Sequence, residues 1–290
     1  MSQTDDFSLT SNTSLEAPTK TSNDENFPVA SWLIPADLRE HVLIFYLCVR
    51  AGDDIADSPN LPAEEKSTLL TRMDETLQGI GVTDDVTQSA ANHVLSAAET
   101  GVTVDHARHV LQAFMMDVTK SRYRNWSALV NYCLYSAAPV GRYLVDLHGC
   151  GDKPKKATDA LCIALQILNH LQDCKDDYLE IDRVYIPEDM LKAQNIDVTA
   201  LNADRASMEL RAVLDAVLDR TDELLKHART GPKQMSHRGL RLETAVIIAI
   251  AEKLSKKLRR NDPIAGRVEL SKMQKVLCAL KGMWRGLVTG

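Results

Sequence analysis

Twelve residues near the middle of the chain, Gln166-Ile-Leu-Asn-His-Leu-Gln-Asp-Cys-Lys-Asp-Asp177, narrow what it can fold into. They lie inside a long run with helical apolar periodicity. At about 100° per residue, a helix gathers Gln166, Asn169, Asp173 and Asp177 into a sector of about 80°. Two carboxylates and two amides then share one face of one helix. Gln166 and Asn169 interrupt the apolar run of Ala164, Leu165, Ile167 and Leu168, so this face reads as turned toward a polar cavity.

A second acidic cluster, Asp53, Asp54 and Asp57, lies more than a hundred residues earlier. It continues the apolar stripe of Phe45, Tyr46 and Val49, which points its carboxylates inward. Like charges at i,i+4 repel by a few tenths of a kcal/mol, and acid at a helix C-terminus opposes the macrodipole. A cation would offset both costs. Mg²⁺ takes oxygen ligands, keeps several waters and commonly joins one or two carboxylates to phosphate oxygens. The expectation is that Asp53 and Asp57 face Asn169, Asp173 and Asp177 across a cavity and hold Mg²⁺ on a diphosphate.

The rest of the chain reads as helices. Residues 1–23 are rich in Ser, Thr, Asn and Asp and lack apolar period, which predicts a disordered tail ahead of one all-α domain over 24–290. Helices are predicted from Pro35 to the first cluster, then over 62–79, 85–100, 104–122, 126–148 and 156–180. A short element follows Pro187, and longer helices are expected over 198–229, 240–260 and 269–286. No stretch alternates as a strand between hairpin turns, and no repeat of 20 to 50 residues occurs. The last stretch, Val276–Val288, is amphipathic and mildly basic, suited either to a bilayer surface or, as the favoured expectation, to packing on the domain's own core.

Composition closes off several functions. A net charge of -6 and a pI near 5.8 leave no basic footprint for nucleic acid. The six cysteines form no C-x-x-C pair and read as reduced core residues of a cytoplasmic protein. No apolar run is long enough to span a bilayer, and no secretory leader is evident. No Glu is followed three residues later by His, against a carboxylate-bridged dimetal bundle. His106 and His109 are read as surface or capping residues, and no nucleotide-binding loop or hydrolase elbow is present. Basic candidates for diphosphate oxygens are Arg50, Arg122, Arg124, Arg183, Arg259, Arg260 and Arg267, since guanidinium forks match phosphate. Tyr132, Tyr135, Tyr143 and Tyr185 could face a developing carbocation or simply fill the core.

Four motifs appear in a recognisable order: Met116-Asp-x-x-x-x-Arg-Tyr123, Tyr132-Cys-Leu-Tyr-Ser-Ala-Ala-Pro-Val-Gly141, and the two aspartate clusters, the second followed by Asp182-Arg-Val-Tyr-Ile-Pro187. Together they resemble the squalene/phytoene synthase family over about residues 26–272. Glu25-Asn-Phe-Pro-Val-Ala-Ser31 and Arg260-Asn-Asp-Pro-x-x-Gly-Arg267 are similar to its bacterial hopanoid-associated subgroup. The resemblance implies an all-α isoprenoid-synthase bundle around a central cavity, with Mg²⁺ as cofactor. Asp53, Asp57, Asp173, Asp177 and Tyr132 would be catalytic. Asn26, Phe27, Arg50, Gln166, Asn169, Gln172, Arg183, Tyr185 and Arg267 would contact substrate.

The subgroup's step is also implied: presqualene diphosphate is ionised and the cation quenched by water to hydroxysqualene. The pathway's presqualene diphosphate-forming and hydroxysqualene-reducing enzymes are implied as partners. The expected location is cytoplasmic, with peripheral contact on the inner face of the plasma membrane as the alternative that Val276–Val288 offers. Two departures from the wider family bear on this. Asn23-Asp-Glu-Asn-Phe27 stands where many relatives have a hydroxyl-rich phosphate-binding flap, and Gln172 stands where they have Arg. Both remove diphosphate ligands, which fits a single cyclopropyl diphosphate better than two substrates. A condensing enzyme joining two farnesyl diphosphates, or a non-catalytic helical partner of such an enzyme, are the alternatives.

Overall fold

The computed structural model describes residues 33–288. The proposed tail, the boundary at residue 24, Asn26 and Phe27 lie outside this range. Among the described residues the regular elements are helices, and the sole strand-like feature is a bridge between Arg122 and Val184. In chain order they are α1 (Ala36–Asp57), α2 (Ala63–Leu77), α3 (Gln88–Thr100), α4 (Asp105–Asp117), α5 (Trp126–Ser136), α6 (Ala138–Leu147), α7 (Lys155–Gln172) and α8 (Cys174–Ile181). They continue as α9 (Glu188–Ala193), α10 (Met208–Ala228), α11 (Arg238–Leu258) and α12 (Lys272–Val288).

Three long predicted helices are broken. The 126–148 helix breaks at Ala137 because Pro139 cannot donate to the carbonyl one turn back and its ring crowds that turn. The 198–229 helix is a 3₁₀ turn over Val198–Asn202 and then α10, capped where the Ser207 hydroxyl accepts from the Leu210 amide. The 156–180 helix breaks at Asp173, whose ψ opens to 5°. Asp173 N–H still donates to the Asn169 carbonyl and Asp177 N–H to the Asp173 carbonyl, at 3.0 and 2.8 Å. The face therefore runs through the break.

The buried side chains form two main clusters. One joins α1–α4 to Tyr143 and Leu147 of α6, and the other joins α5 and α7–α11. The helices fit closely where the first acidic cluster is set: a Cβ at Gly52 would lie 2.6 Å from Leu111 Cδ2 of α4. None of the six cysteines is paired, and Cys48, Cys133, Cys174 and Cys278 are buried.

Candidate active site

A cavity of about 540 Å³ lies between the two clusters and is lined from both. The Phe45–Val49 stripe of α1 runs along its wall and delivers Arg50, Asp53 and Asp57 to one end. From the opposite side α7 and α8 deliver Gln166, Asn169, Asp173 and Asp177 to the same cavity. The apolar remainder includes Val42, Phe114, Leu161, Leu165, Leu240 and Ile247. Polar and apolar ends are ordered along α7. Tyr132 of α5 stands opposite His170, whereas Gly141 of α6 meets Thr158 and Cys162, so the antiparallel pairing descends from carboxylates to hydrocarbon.

The first acidic cluster is partly balanced by two neighbouring arginines. Arg50 donates to Asp53 Oδ2 at 2.9 Å and to Asp54 Oδ1 at 2.5 Å. Arg183, just beyond α8, reaches across to Asp57 Oδ1 at 3.1 Å. Burial alone would lower the Arg183 pKa, but Tyr185, Asp117 and Asp57 outweigh it and hold the guanidinium firmly charged.

The second cluster is less relieved. Burial pushes Asp177 up to about 7, with the charges of Asp173 and Asp57 adding to the rise and Arg183 opposing it. Arg267 Nη1 lies 2.5 Å from Asp173 Oδ1, on a side chain that is 43% exposed and shared with Glu269. Beside the clusters, the Tyr132 hydroxyl donates to Asp117 Oδ2 at 2.7 Å. Burial lifts Asp117 to about 6 against the pull of Arg183. Tyr185 stacks on His170 with ring centroids 3.4 Å apart. Burial, reinforced by Arg183, lowers His170 to about 3, so this imidazole stays neutral.

The structure thus brings together Arg50, Asp53, Asp57, Tyr132, Gln166, Asn169, Asp173, Asp177, Arg183 and Tyr185 from four separate stretches of sequence. Gln172 is a correction. It is buried away from the cavity lining, and its amide donates to the Val268 carbonyl at 2.7 Å. Arg267 is outside the lining too and acts on the site through Asp173. Tyr135 packs edge-on to His109 outside the cavity, Arg122 pairs with Asp182, and Arg259 pairs with Asp219 and Asp222. His106 is buried and bonded to Asp146, neither surface nor cap. Asp117 and His170 line the cavity without having been singled out. Asp117 sits in the Met116–Tyr123 motif, which was the available signal.

Residues 20–274 match the model of the squalene/phytoene synthase family. The chain belongs to that family. It is 42% identical to a hydroxysqualene synthase of Rhodopseudomonas palustris over 265 residues, covering 91% of this chain and 89% of the relative. A hydroxysqualene synthase of Sinorhizobium fredii is 39% identical over 261 residues, covering 90% and 88%. The crystal structure of squalene synthase HpnC from Alicyclobacillus acidocaldarius superposes with a TM-score of 0.69 at 26% identity, covering 80% of this chain and 87% of that one. A dehydrosqualene synthase structure, 19% identical, shares the fold with a TM-score of 0.75 over 90% and 91%. The all-α isoprenoid-synthase architecture and an enzyme of squalene/phytoene synthase type follow.

Proposed function

We propose that this enzyme ionises presqualene diphosphate and lets water capture the cation, giving hydroxysqualene and diphosphate. One observation carries the reading: two acidic clusters share one end of a cavity whose remaining wall is largely apolar. That layout suits a substrate with an anionic head and long hydrocarbon tails. Relatives named hydroxysqualene synthase at 36–42% identity support the particular reaction.

The donor set fits Mg²⁺. Asp53, Asp57, Asn169, Asp173 and Asp177 offer hard oxygens, and Asp177, raised first by burial and further by the charges of Asp173 and Asp57, is a carboxylate that a cation would help to ionise. Among the described residues no three acidic, histidine or cysteine groups form a ready-made metal cage. When bound, Mg²⁺ supplies Lewis-acid stabilisation of charge on the leaving oxygen.

The chain's own groups do the rest. Arg50 and Arg183 add positive charge beside the leaving group and fix the aspartates in place. Tyr132, Tyr185 and neutral His170 line the cavity next to the carboxylates, and this aromatic cluster can stabilise a nearby cation without capturing it. Gln166, one turn inward from Asn169 and adjacent to Leu165, is the amide we assign to hold the quenching water at the edge of the hydrocarbon wall. The apolar wall excludes other water. In the capture step a cyclopropane C–C bond of the cation breaks and its electron pair becomes a C=C bond, the water oxygen bonds to the carbon left electron-poor, and a proton leaves to solvent or diphosphate.

A product assay tests this. Presqualene diphosphate with Mg²⁺ is expected to give hydroxysqualene and no turnover after chelation. Conversion of farnesyl diphosphate alone to presqualene diphosphate or squalene would point to the condensing alternative, and inertness toward both to a non-catalytic partner.

A further inference from the structure

Helix α12 presents one chemistry inward and another outward. Met273, Val276, Leu277, Leu280, Trp284 and Leu287 are between 51% and 75% exposed. At about 100° per residue they fall within a sector of about 100°. The buried residues are Cys278, Gly282 and Gly286, centred on the opposite side. They allow close seating on α11: a Cβ at Gly282 would lie 2.4 Å from Val246 Cα. The helix therefore docks through its smallest residues and leaves its largest apolar side chains in water. This differs from the expectation that the stretch packs its apolar face on the core.

An exposed stripe of this kind marks a surface that something covers. We propose that α12 is a membrane-docking helix that lays this stripe into an anionic bilayer surface. Charge selects the occupant. Lys272–Val288 contains Lys272, Lys275, Lys281 and Arg285 and no acidic residue, on a chain whose net charge is -6. Lys272 and Lys281 fall on opposite edges of the stripe, and Lys253 of α11 adds charge near Cys278. A bilayer carrying anionic headgroups meets the apolar stripe and its lysine borders together, each basic residue near such a surface adding attraction. A second copy laid stripe to stripe would bring the same lysines together. Trp284 is the kind of ring that settles at the headgroup level. No helix among the described residues is long and apolar enough to cross a membrane, so the contact is in plane.

The stripe also has a useful position. Gly282 lies against Val246 and Gly286 against Leu242, so α12 runs antiparallel to α11. Its last turns lie beside the start of α11, where Leu240 lines the cavity's apolar portion. The surface inference stands on exposure and charge and does not depend on the reaction proposed above.

The test uses the full chain with phosphatidylcholine vesicles, with and without phosphatidylglycerol, some carrying brominated acyl chains. Co-sedimentation is expected with the anionic vesicles and should weaken as salt rises. Bromine should quench tryptophan emission in the wild type and much less in Trp284→Phe. The pair Leu277→Glu and Leu280→Glu should lower vesicle affinity by about tenfold or more, as should Lys272→Glu with Lys281→Glu, while turnover of detergent-dispersed substrate is kept. Absence of quenching, vesicle binding that survives all four changes, or a concentration-dependent dimer dissolved by the two glutamates would overturn the proposal.

Discussion

The two acidic clusters meet in one cavity but are held by different means. On α1 the carboxylates come with their counter-charges: Arg50 holds Asp53 and Asp54, and Arg183 holds Asp57. At the α7–α8 junction, Asp177 is half-buried near Asp173 and Asp57, and its pKa is raised to about 7, first by desolvation. One side is braced by two half-buried guanidiniums before any ligand arrives, whereas the other has the more exposed Arg267 on Asp173 and leaves Asp177 raised by burial and by its acidic neighbours. The difference teaches that similar Asp-x-x-x-Asp spacings serve unlike ends: the first is a set platform, the second a charge-sensitive partner.

Removing a carboxylate from either side should erase the comparison altogether. Asp53→Ala and Asp173→Ala are each expected to cut diphosphate release from presqualene diphosphate by about 10³-fold or more, followed by a phosphate-release assay. Near-normal Mg²⁺-dependent turnover in either variant would sink the assignment. Removing the shared counter-charge is the next largest change. Arg183→Gln strips Asp57 of its partner and removes the charge that opposes the rise in Asp177 and Asp117. Activity should fall by about 10²-fold and its acidic limb should move to higher pH, since both carboxylates then ionise later.

A third test separates the clusters by pH. Asp177 and Asp117 have folded pKa values, about 7 and about 6, above the ordinary carboxylate value of 3.8. Between that value and the folded one the native state binds more protons than the unfolded state. Metal-free stability should therefore decline as pH rises from about 4 to about 7. Thermal melting with and without Mg²⁺ should show a metal-induced gain that grows across the same window, and Asp177→Asn should flatten both trends. Gln166→Leu is expected to leave diphosphate release within about tenfold of wild type while shifting product from alcohol to alkene, because deprotonation of the cation replaces capture by water. Unchanged alcohol yield would remove Gln166 from that role. Smallest of all, Gln172→Leu should lower the melting temperature by about 2–4 °C and activity only a few-fold, as expected for one lost buried hydrogen bond.

The helical class and the shared acidic face could be read in advance because both rest on local spacing. Gln166, Asn169, Asp173 and Asp177 stayed together even through the break at Asp173, since the backbone bonds on either side persist. The break itself depends on a single relaxed ψ that no residue type there demands. The break at Ala137, by contrast, is signalled in the sequence by Pro139. Gln172 was misplaced by likeness rather than spacing: it lies about 240° around the helix from Gln166, off the acidic face. The Met116–Tyr123 motif marks Asp117, but not what it touches, because its partners Tyr132 and Arg183 come from other elements.

One connection has a practical bearing on re-engineering this fold. The segment between α11 and α12 is fastened to the α7–α8 junction at three points: Gln172 to the Val268 carbonyl, Lys175 to the Ile264 carbonyl, and Arg267 to Asp173. These partners are 96, 89 and 94 positions apart in the chain. Grafting the second aspartate motif from a condensing relative without this distant loop would break all three fastenings. The two stretches form one exchangeable cassette, and chimeras should carry them as a pair.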